Sequence, residues 1–482
     1  MSRRDEQRTT AQDTVEPDTA AQDATEHGTE QPTDTARRTR RRTAVVASVA
    51  VLAVAAVVTA VLAVRASSAT PAEAVSATAP VPITVAHVPD ATTIGVVVTL
   101  GDGEGAQWDD AAQGALVAQR RLALGGTDVR LVTKNDGGSV EGARKAVDAL
   151  VADGVAGIVV ATSGDHVRAV TAAAADAGVP VVAPYADGDD DAWSTAPSSD
   201  SVTTATQDAL VGSRSTLLVD LGGGAPAGVD FAHVLDATRT PDLTALGETI
   251  AQRTGAAAGS TDAERDADAA GDPDAGAAPD SDAVVVSGPA DRQGALVAAL
   301  QAANVTAPVV LTPEATSPAF AAALAQAGGS LSGTFRTVGV ETDDARALSS
   351  DAEGRAMSAF LGGVRVLADD PDAKNLTGDR PFAAVATVAD ARSHDAVVAL
   401  VTAVGAARST DGTAVSDALA GLDLDAGDGL AGPALDFGSK QALRDPAGVL
   451  AASAQDLGLR PAAPTDDGGA APALVWFADT AD

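Results

Sequence analysis

The feature that most restricts the fold of this chain is a regular alternation of short apolar runs and amphipathic segments that starts at Thr92. The first apolar run, IGVVVTL (94–100), is followed by the glycine-rich stretch GDGEGAQW (101–108) and then by an amphipathic segment. Short runs of this kind are typical of strands buried on both faces, which helices join in right-handed βαβ units. The pattern therefore predicts parallel sheets with helices on both faces. The apolar runs lie at 94–100, 129–136, 156–163, 179–187, 215–221, 282–288 and 307–314.

No apolar run lies between the fourth run, which ends at 187, and the fifth, which begins at 215. This gap divides the pattern into two groups, so we expect two lobes, each with its own α/β sheet. Between the runs, Ser139 is placed to cap a helix that Gly154 closes. The second group is interrupted at 256–281, a stretch rich in Asp and Ala without apolar periodicity. We expect this stretch to be a disordered surface insertion.

The N-terminal part of the chain predicts a membrane anchor. Residues 43–64 form an uncharged stretch of 22 residues that follows the arginine cluster at 37–42. About 20 apolar residues cross a bilayer, and flanking arginines favour the cytoplasmic side. We expect a disordered cytoplasmic tail (1–42), a retained signal-anchor and a linker (65–91). The alternative is a cleaved signal peptide, although the apolar cores of cleaved signals are typically about 7–15 residues long.

Composition and motifs argue against several classes of function. The formal net charge of −34 disfavours nucleic acid as a partner, and the lack of cysteine excludes disulfides and thiolate chemistry. No HExxH, GxSxG or Walker motif occurs, and the five histidines do not pair at metal-ligand spacing, so we expect them to face solvent. Asp102 and Glu104 lie within the glycine-rich stretch and would repel a pyrophosphate. We therefore expect no enzyme activity, no cofactor and no metal.

Ligands of open α/β sheets bind beyond the carboxyl ends of the strands. The stretches that follow the predicted strands are therefore the ones to inspect: GDGEGAQW (101–108), ATSG (161–164), YADGD (185–189), SGPADR (287–292) and TPEATS (312–317).

The order of these motifs resembles the first and second lobes of type I periplasmic binding proteins. The similarity is greatest to the leucine/isoleucine/valine-binding family of ABC transporters, and it spans about residues 92–450. It is carried by IGVVVTLGDGEGAQW (94–108), VRLVTKNDGGSVEGARKAVDALVADGVAGIVVATS (129–163), VVVSGPADRQGALVAALQAANVTAPVVLTPEATSPAF (284–320), SHDAVVALVTAV (393–404) and LAGPALDFGSKQALRDPAG (430–448).

The resemblance implies an α/β, two-lobed fold in which the chain crosses between the lobes three times and a ligand binds between them. The implied boundaries are 92–202 and 336–425 for lobe I, 203–335 and 426–465 for lobe II, and 466–482 for a C-terminal segment.

The resemblance also implies ligand-binding residues. Trp108 aligns near an aromatic that covers the ligand, with packing against the lobe as the alternative. Ser163 and Gly164 align with the carboxylate-binding serine, and Ser163 is also placed to cap a helix. The full set is Trp108, Ser163, Gly164, Tyr185, Asp187 and Glu314.

This sequence departs from the family pattern at the carboxylate subsite. Asp187 stands where the family has a threonine, and an ionised carboxylate cannot donate a hydrogen bond to another one. One hypothesis is a cationic ligand that faces Asp187 and Glu314. The other is that ligand binding has been lost and the domain acts as a sensing or interaction module.

The resemblance thus implies a membrane-anchored solute-binding protein outside the cytoplasm, with its N-terminus in the cytoplasm. Its partners would be a small polar ligand, such as an amino acid or related compound, and the permease subunits of an ABC transporter.

Overall fold

The structure, a computed structural model, describes residues 81–255, 280–331, 333–341, 344–454, 457–461 and 474–478. These residues all belong to one compact unit, Ser76–Asp482. The predicted tail and membrane span, and the linker as far as residue 80, lie outside the described residues. Among the helices that the structure describes, none combines the length and apolarity needed to cross a membrane.

Strands and helices alternate through most of the described chain. The strands are β1 (Thr92–Val98), β2 (Val129–Asn135), β3 (Gly157–Val160), β4 (Val181–Ala183), β5 (Trp193–Ser194), β6 (Thr216–Asp220), β7 (His233–Asp236), β8 (Ala283–Ser287), β9 (Val309–Leu311), β10 (Phe335–Gly339), β11 (Asp423–Leu424), β12 (Leu435–Asp436), β13 (Gly448–Ala454) and β14 (Leu474–Ala478). The helices are α1 (Gly114–Leu124), α2 (Val140–Ala152), α3 (Val167–Asp176), α4 (Ser199–Ala209), α5 (Leu243–Arg253), α6 (Ala290–Ala302), α7 (Pro318–Gln326), α8 (Ala352–Asp369), α9 (Ala391–Ala407) and α10 (Gly412–Leu419).

The first sheet has five parallel strands in the order β2-β1-β3-β4-β5. Ile94 and Val96 of β1 pack in one core together with Leu400 of α9, whereas Val97 packs in another core with Leu150 of α2. Because both faces of the sheet are covered, the strand is a continuous apolar run rather than an alternating one. Ser139 accepts a hydrogen bond from the backbone N–H of Gly142 and caps α2, as its sequence position predicts.

The second sheet has seven strands in the order β14-β13-β10-β9-β8-β6-β7. The five strands from β7 to β10 are parallel and repeat the topology of the first sheet, while β13 and β14 are antiparallel additions at one edge. The predicted two-lobed α/β fold, with a parallel sheet between helices in each lobe, is confirmed.

The chain crosses between the lobes three times, but not at the predicted residues. β10 contributes buried Phe335 and Val338 to the second lobe, so residues 336–339 do not belong to lobe I. In the other direction, Leu430 and Phe437 pack in the first core, which places that segment in lobe I. The crossings fall between β5 and α4, between β10 and α8, and between β12 and β13.

Four further predicted boundaries are also wrong. α4, which the predicted boundary at 202/203 would divide, packs against β10 and β13 of the second lobe. β14 belongs to the second sheet although it lies beyond 465. Ile83 is buried in the first core, so residues 81–91 are not a linker. The predicted insertion ends before Asp280, whose backbone N–H donates to the Arg253 carbonyl; residues 256–279 lie outside the described part.

Candidate functional site

The carboxyl ends of strands from both lobes line one cleft of about 1280 Å³. In each sheet the strand order reverses between two neighbours, β1 and β3 in the first lobe and β6 and β8 in the second. Crevices form at such switch points because the connections on either side leave in opposite directions. The cleft exceeds the roughly 300–1,000 Å³ of typical small-molecule pockets, so it has room for a small solute and water.

All six predicted ligand residues line this cleft. Five come from the loops after β1, β3 and β4, and Glu314 comes from the loop after β9 in the second lobe. They lie far apart along the chain, and the fold brings them together because each follows the carboxyl end of a strand. The residues concerned are Trp108, Ser163, Gly164, Tyr185, Asp187 and Glu314.

Trp108 is part of the wall of the first lobe. Its side chain is only 4% exposed, and its ring stacks on Tyr185 with centroids 4.5 Å apart. Its Nε1 donates a hydrogen bond to Ser163 Oγ at 3.1 Å. The indole is therefore held by contacts within its own lobe, which favours the packing interpretation over that of a cover for the ligand.

Asp390 fixes the other side of this stack. It accepts hydrogen bonds from the Tyr185 hydroxyl at 2.6 Å and from the backbone N–H of Ser393 at 3.1 Å. It also pairs with Arg392, whose guanidinium lies 4.6 Å from the Trp108 centroid and 4.8 Å from that of Tyr185. Burial, together with the charge of Asp390, raises the pKa of Tyr185 well above its usual value, so the phenol stays a neutral donor. Sequence reasoning missed Asp390 and Arg392, although an aspartate before a helix is a recognisable N-cap.

Ser163 has a different role from the predicted helix cap. Its hydroxyl accepts from Trp108 and lies 3.5 Å from Gln107 Nε2, whereas α3 begins only at Val167 and lacks a side-chain cap. The capping interpretation is therefore wrong, because two residues lie between Ser163 and the N-cap position of the helix.

Glu104 of the glycine-rich loop folds against the loop that precedes α3. Its Oε2 accepts a hydrogen bond from the backbone N–H of Asp165 at 3.3 Å. A Cβ at Gly164 would lie 2.4 Å from Glu104 Cδ, and Gly164 has a φ of +117°. The position of the Glu104 side chain thus depends on a glycine beneath it.

Under this loop lies a buried polar cluster at the ends of β1, β2 and β3. Thr99 donates to Asp136 at 2.6 Å and lies 2.7 Å from the Thr162 hydroxyl, while His166 Nε2 lies 3.1 Å from Asp136 Oδ2. The contact with the Asp136 carboxylate raises the pKa of His166 above its usual value. Burial alone would raise the pKa of Asp136, but His166 and Thr99 outweigh burial and lower it. Both shifts favour the ionised form of the pair, in which Nε2 of His166 faces Asp136 Oδ2.

The expectation that the histidines face solvent is wrong for two of them. His166 is 2% exposed and His394 is fully buried. His394 lies 2.9 Å from Arg121 Nη1 and 2.7 Å from Asp395 Oδ1. Burial lowers the pKa of His394, which makes this imidazole neutral. A neutral ring here accepts at Nε2 from Arg121 and donates from Nδ1 to Asp395. Single-sequence patterns did not reveal either histidine, because burial depends on contacts distant in sequence.

The described residues that line the cleft carry more negative than positive side chains. Eight are acidic and three are arginines. Arg392 pairs with Asp390, and Arg292 donates four hydrogen bonds to the carbonyls of Leu221, Ala237, Thr238 and Thr240. Of the three arginine side chains, only that of Arg168 makes no hydrogen bond or ion pair with the described residues. The cleft therefore favours positive charge. The acidic residues are Asp102, Glu104, Asp165, Asp187, Asp189, Asp291, Glu314 and Asp395.

Asp187 and Glu314 differ in how far other side chains satisfy them. Asp187 accepts a hydrogen bond from the Ser199 hydroxyl at the start of α4. Glu314 is half-buried, and its carboxylate makes no hydrogen bond or ion pair with the residues that the structure describes. A half-buried carboxylate facing a cleft gains most from a cationic partner. No group of three or more acidic or histidine side chains in the described chain is arranged to hold a metal ion.

The two similar lobes, the three crossings and the cleft between strand ends define the type I periplasmic binding protein fold. Comparison with solved structures agrees, and the structural neighbours include branched-chain amino acid-binding proteins of ABC transporters. The substrate-binding protein LivJ of Streptococcus pneumoniae in complex with isoleucine is 16% identical, with a TM-score of 0.53 over 80% of this chain and 99% of that one. The leucine-binding protein LivK of Thermotoga maritima is 14% identical, with a TM-score of 0.52 over 80% and 99%. A type 1 periplasmic binding protein of Bordetella pertussis is 15% identical, with a TM-score of 0.53 over 80% and 100%.

Sequence comparisons add no closer relative. No protein-family model matches the chain, and no curated protein matches it. At these identities the structural comparisons establish the fold alone.

Proposed function

We propose that this chain is a solute-binding protein of the ABC-transporter type that closes its two lobes on a small polar ligand. The observation that carries the proposal is that residues from separate strand ends of both lobes, Glu314 among them, line one cleft. A cleft between two lobes joined at three crossings suits closure by rigid-body movement about a hinge. The chain itself would catalyse no reaction, and ATP hydrolysis would occur on partner subunits.

The charges of the cleft support an amine-bearing ligand. The neighbours from Streptococcus pneumoniae and Thermotoga maritima bind isoleucine and leucine by their descriptions, and an amino acid brings a carboxylate as well as an ammonium group. In this chain Asp187 stands where a carboxylate would need a donor, and Glu314 is free to pair with an ammonium group. A diamine, polyamine or other cation satisfies both side chains, whereas leucine satisfies only one.

We further propose that the protein is anchored in the cell membrane by residues 43–64, with the cleft outside the cytoplasm and permease subunits as partners. The support is the uncharged stretch of 22 residues preceded by the arginine cluster at 37–42. Reporter fusions test the topology. A fusion after residue 80 should report an extracytoplasmic location, and one before residue 37 a cytoplasmic location.

Titration calorimetry on the full-length protein tests the ligand class. Leucine, isoleucine, lysine, putrescine and spermidine form the panel, and we expect the diamine and the polyamine to bind more tightly than leucine. Asp187→Thr should weaken amine binding and improve that of leucine. Tight binding of leucine that Asp187→Thr leaves unchanged would contradict the cationic-ligand proposal.

An extracytoplasmic sensing or interaction module is the second candidate. This candidate is favoured by contacts between the loop after β1 and the loop after β3. The side chains of Glu104, Gln107 and Trp108 already take up the Ser163 hydroxyl and the Asp165 backbone N–H, which a ligand would otherwise bind. Failure of every member of the panel to bind would favour this candidate over solute transport.

A further inference from the structure

We propose that the N-terminal end of α3 and His166 form an anion-binding subsite that the chain fills with its own Glu104, which makes Glu104 a specificity-determining residue. A ligand that carries a carboxylate at this point would have to displace Glu104. The inference rests on the proposed function only in placing the ligand in this cleft.

The subsite has two independent components. The first is the start of α3, a ten-residue helix with His166 as its N-cap residue; the backbone N–H of Asp165, just before that N-cap, donates to Glu104 Oε2. The second is His166 Nδ1, which is buried, has no hydrogen-bond partner among the described residues and lies 3.8 Å from the same oxygen. A helix N-terminus favours an anion, and a ring nitrogen facing it adds a second donor when the imidazole is protonated.

The loop that carries Glu104 is shaped to deliver it to this point. Gly105 has a φ of +91°, and a Cβ there would lie 2.0 Å from Thr162 Oγ1. Gly164 has a φ of +117°, and a Cβ there would lie within 2.4 Å of the Glu104 side chain. Two glycines, one on each loop, thus permit a close approach that any other residue would block.

The consequence concerns what the cleft selects. With Glu104 in place, a ligand carboxylate meets a like charge instead of the donors at the start of α3. The next loop carries Asp187, which adds a second negative side chain to the same lobe. Glu104 therefore excludes a ligand carboxylate, because it occupies the hydrogen-bond donors that this carboxylate would need. The ligand presents an ammonium or neutral group to this part of the cleft.

Chemical rescue tests this inference without knowledge of the ligand. The full-length protein and its Glu104→Ala, Glu104→Gln and Asp102→Ala variants are titrated with acetate at constant ionic strength, and unfolding is followed by thermal shift. Glu104→Ala should leave an empty subsite that acetate fills, with saturable stabilisation and a dissociation constant at least about tenfold lower than in the unmodified protein. Glu104→Gln loses the charge but still fills the space, so it should not respond. Asp102→Ala is the matched control, because Asp102 is exposed on the same loop and makes no hydrogen bond to the described residues.

A second measurement locates the acetate. In protein labelled with ¹⁵N-histidine, acetate should move the Nδ1 signal of His166 in Glu104→Ala and leave it unchanged in the Asp102→Ala control. Equal responses to acetate in all four proteins, or an unmoved His166 signal in Glu104→Ala, would overturn the inference. If acetate rescues Glu104→Ala while no panel compound binds the unmodified protein, only the proposed function fails. If putrescine binds and the rescue is absent, only the present inference fails.

Discussion

The indole ring of Trp108 lies nearly parallel to the phenol ring of Tyr185, with an interplanar angle of 7° and centroids 4.5 Å apart. This stack joins the loop after β1 to the loop after β4, and the Tyr185 hydroxyl continues the connection to Asp390 at the start of α9. Three segments that are distant in sequence are thereby fixed relative to one another. The first-lobe wall of the cleft is therefore built before any ligand arrives, which lowers the ordering cost of binding.

Removal of the Trp108 ring should lower the stability of the protein and have little direct effect on ligand affinity. Trp108→Ala leaves a cavity against Tyr185 and removes the hydrogen bond to Ser163, so we expect the free energy of unfolding to fall by about 3–5 kcal/mol. Chemical denaturation measures this change. Trp108→Phe keeps most of the stack and should cost clearly less. A loss of ligand affinity with unchanged stability would instead show that Trp108 acts as a cover.

The sequence was sufficient to predict the repeated βαβ pattern because β1, β6 and β8 are buried on both faces and lack polar interruptions. Strand direction was also sufficient to place the six candidate ligand residues at the carboxyl ends of strands, whereas the choice of these residues came from the family resemblance. The edge strand β7 was missed, since its four residues alternate between half-buried and exposed positions and give a weak signal. The crossing next to β10 was misplaced because the lobe of this strand is decided by its pairing with β9, a contact that local sequence patterns do not show.

The buried polar clusters could not be predicted from sequence patterns. Asp136 and His166 are brought together by neighbouring strands of the first sheet, and Arg121 and His394, which are 273 positions apart, by the packing of α1 against α9. The contact of the exposed Glu104 side chain with the loop after β3 likewise depends on the conformations of Gly105 and Gly164, which one sequence does not reveal. Pairwise contacts of this kind are set by tertiary packing rather than by local periodicity.

Glu314 should contribute to binding and little to folding. Its carboxylate has no partner among the described residues, so Glu314→Gln should change the free energy of unfolding by no more than about 0.5 kcal/mol. The affinity for putrescine should fall about tenfold or more, because a charge-assisted hydrogen bond becomes a neutral one. Calorimetry and denaturation on the same variant separate the two effects. Glu248→Gln, an exposed change on α5 outside the cleft, is the matched control and should alter neither quantity.

His166 should make the stability of the protein depend on pH. Its folded pKa lies above the usual value of 6.5, so its stabilising effect is fully present below pH 6.5 and is lost as the pH rises through the folded pKa. The difference in unfolding free energy between the unmodified protein and His166→Gln should therefore shrink as the pH rises. Below pH 6.5, as long as Asp136 stays ionised, that difference should be about 3–5 kcal/mol, because the variant leaves the buried Asp136 carboxylate without its cationic partner. Denaturation across this pH range checks both statements, and a difference independent of pH would contradict the ionic pair.

His394 should make stability depend on pH in the opposite direction to His166. Burial lowers its folded pKa below 6.5, so the unfolded chain takes up a proton first and stability is lost as the pH falls from 6.5 towards the folded pKa. The advantage of the unmodified protein over His394→Gln should thus decrease on acidification. Histidine ring signals in NMR titrations give an independent check. The His166 signal should titrate above pH 6.5 and the His394 signal below it, and titration of both on the same side would contradict the two environments.

The glycines of the loop GDGEGAQW allow backbone strain to be separated from close packing. Gly101 and Gly105 both have positive φ, at +85° and +91°. A Cβ atom at Gly101 would meet nothing within 4 Å. A Cβ atom at Gly105 would lie 2.0 Å from Thr162 Oγ1 and 2.3 Å from the Ser163 carbonyl oxygen. Gly101→Ala should therefore cost only the left-handed backbone strain of about 1–2 kcal/mol. Gly105→Ala should cost about 1–3 kcal/mol more, because the added methyl group displaces the loop after β3. Denaturation of the two variants measures the difference. Since that displacement also moves Ser163 away from Trp108, Gly105→Ala should change the near-UV circular dichroism of the indole, and Gly101→Ala should not. Equal costs for the two variants would mean that Gly105 is not packed against the loop after β3 in solution.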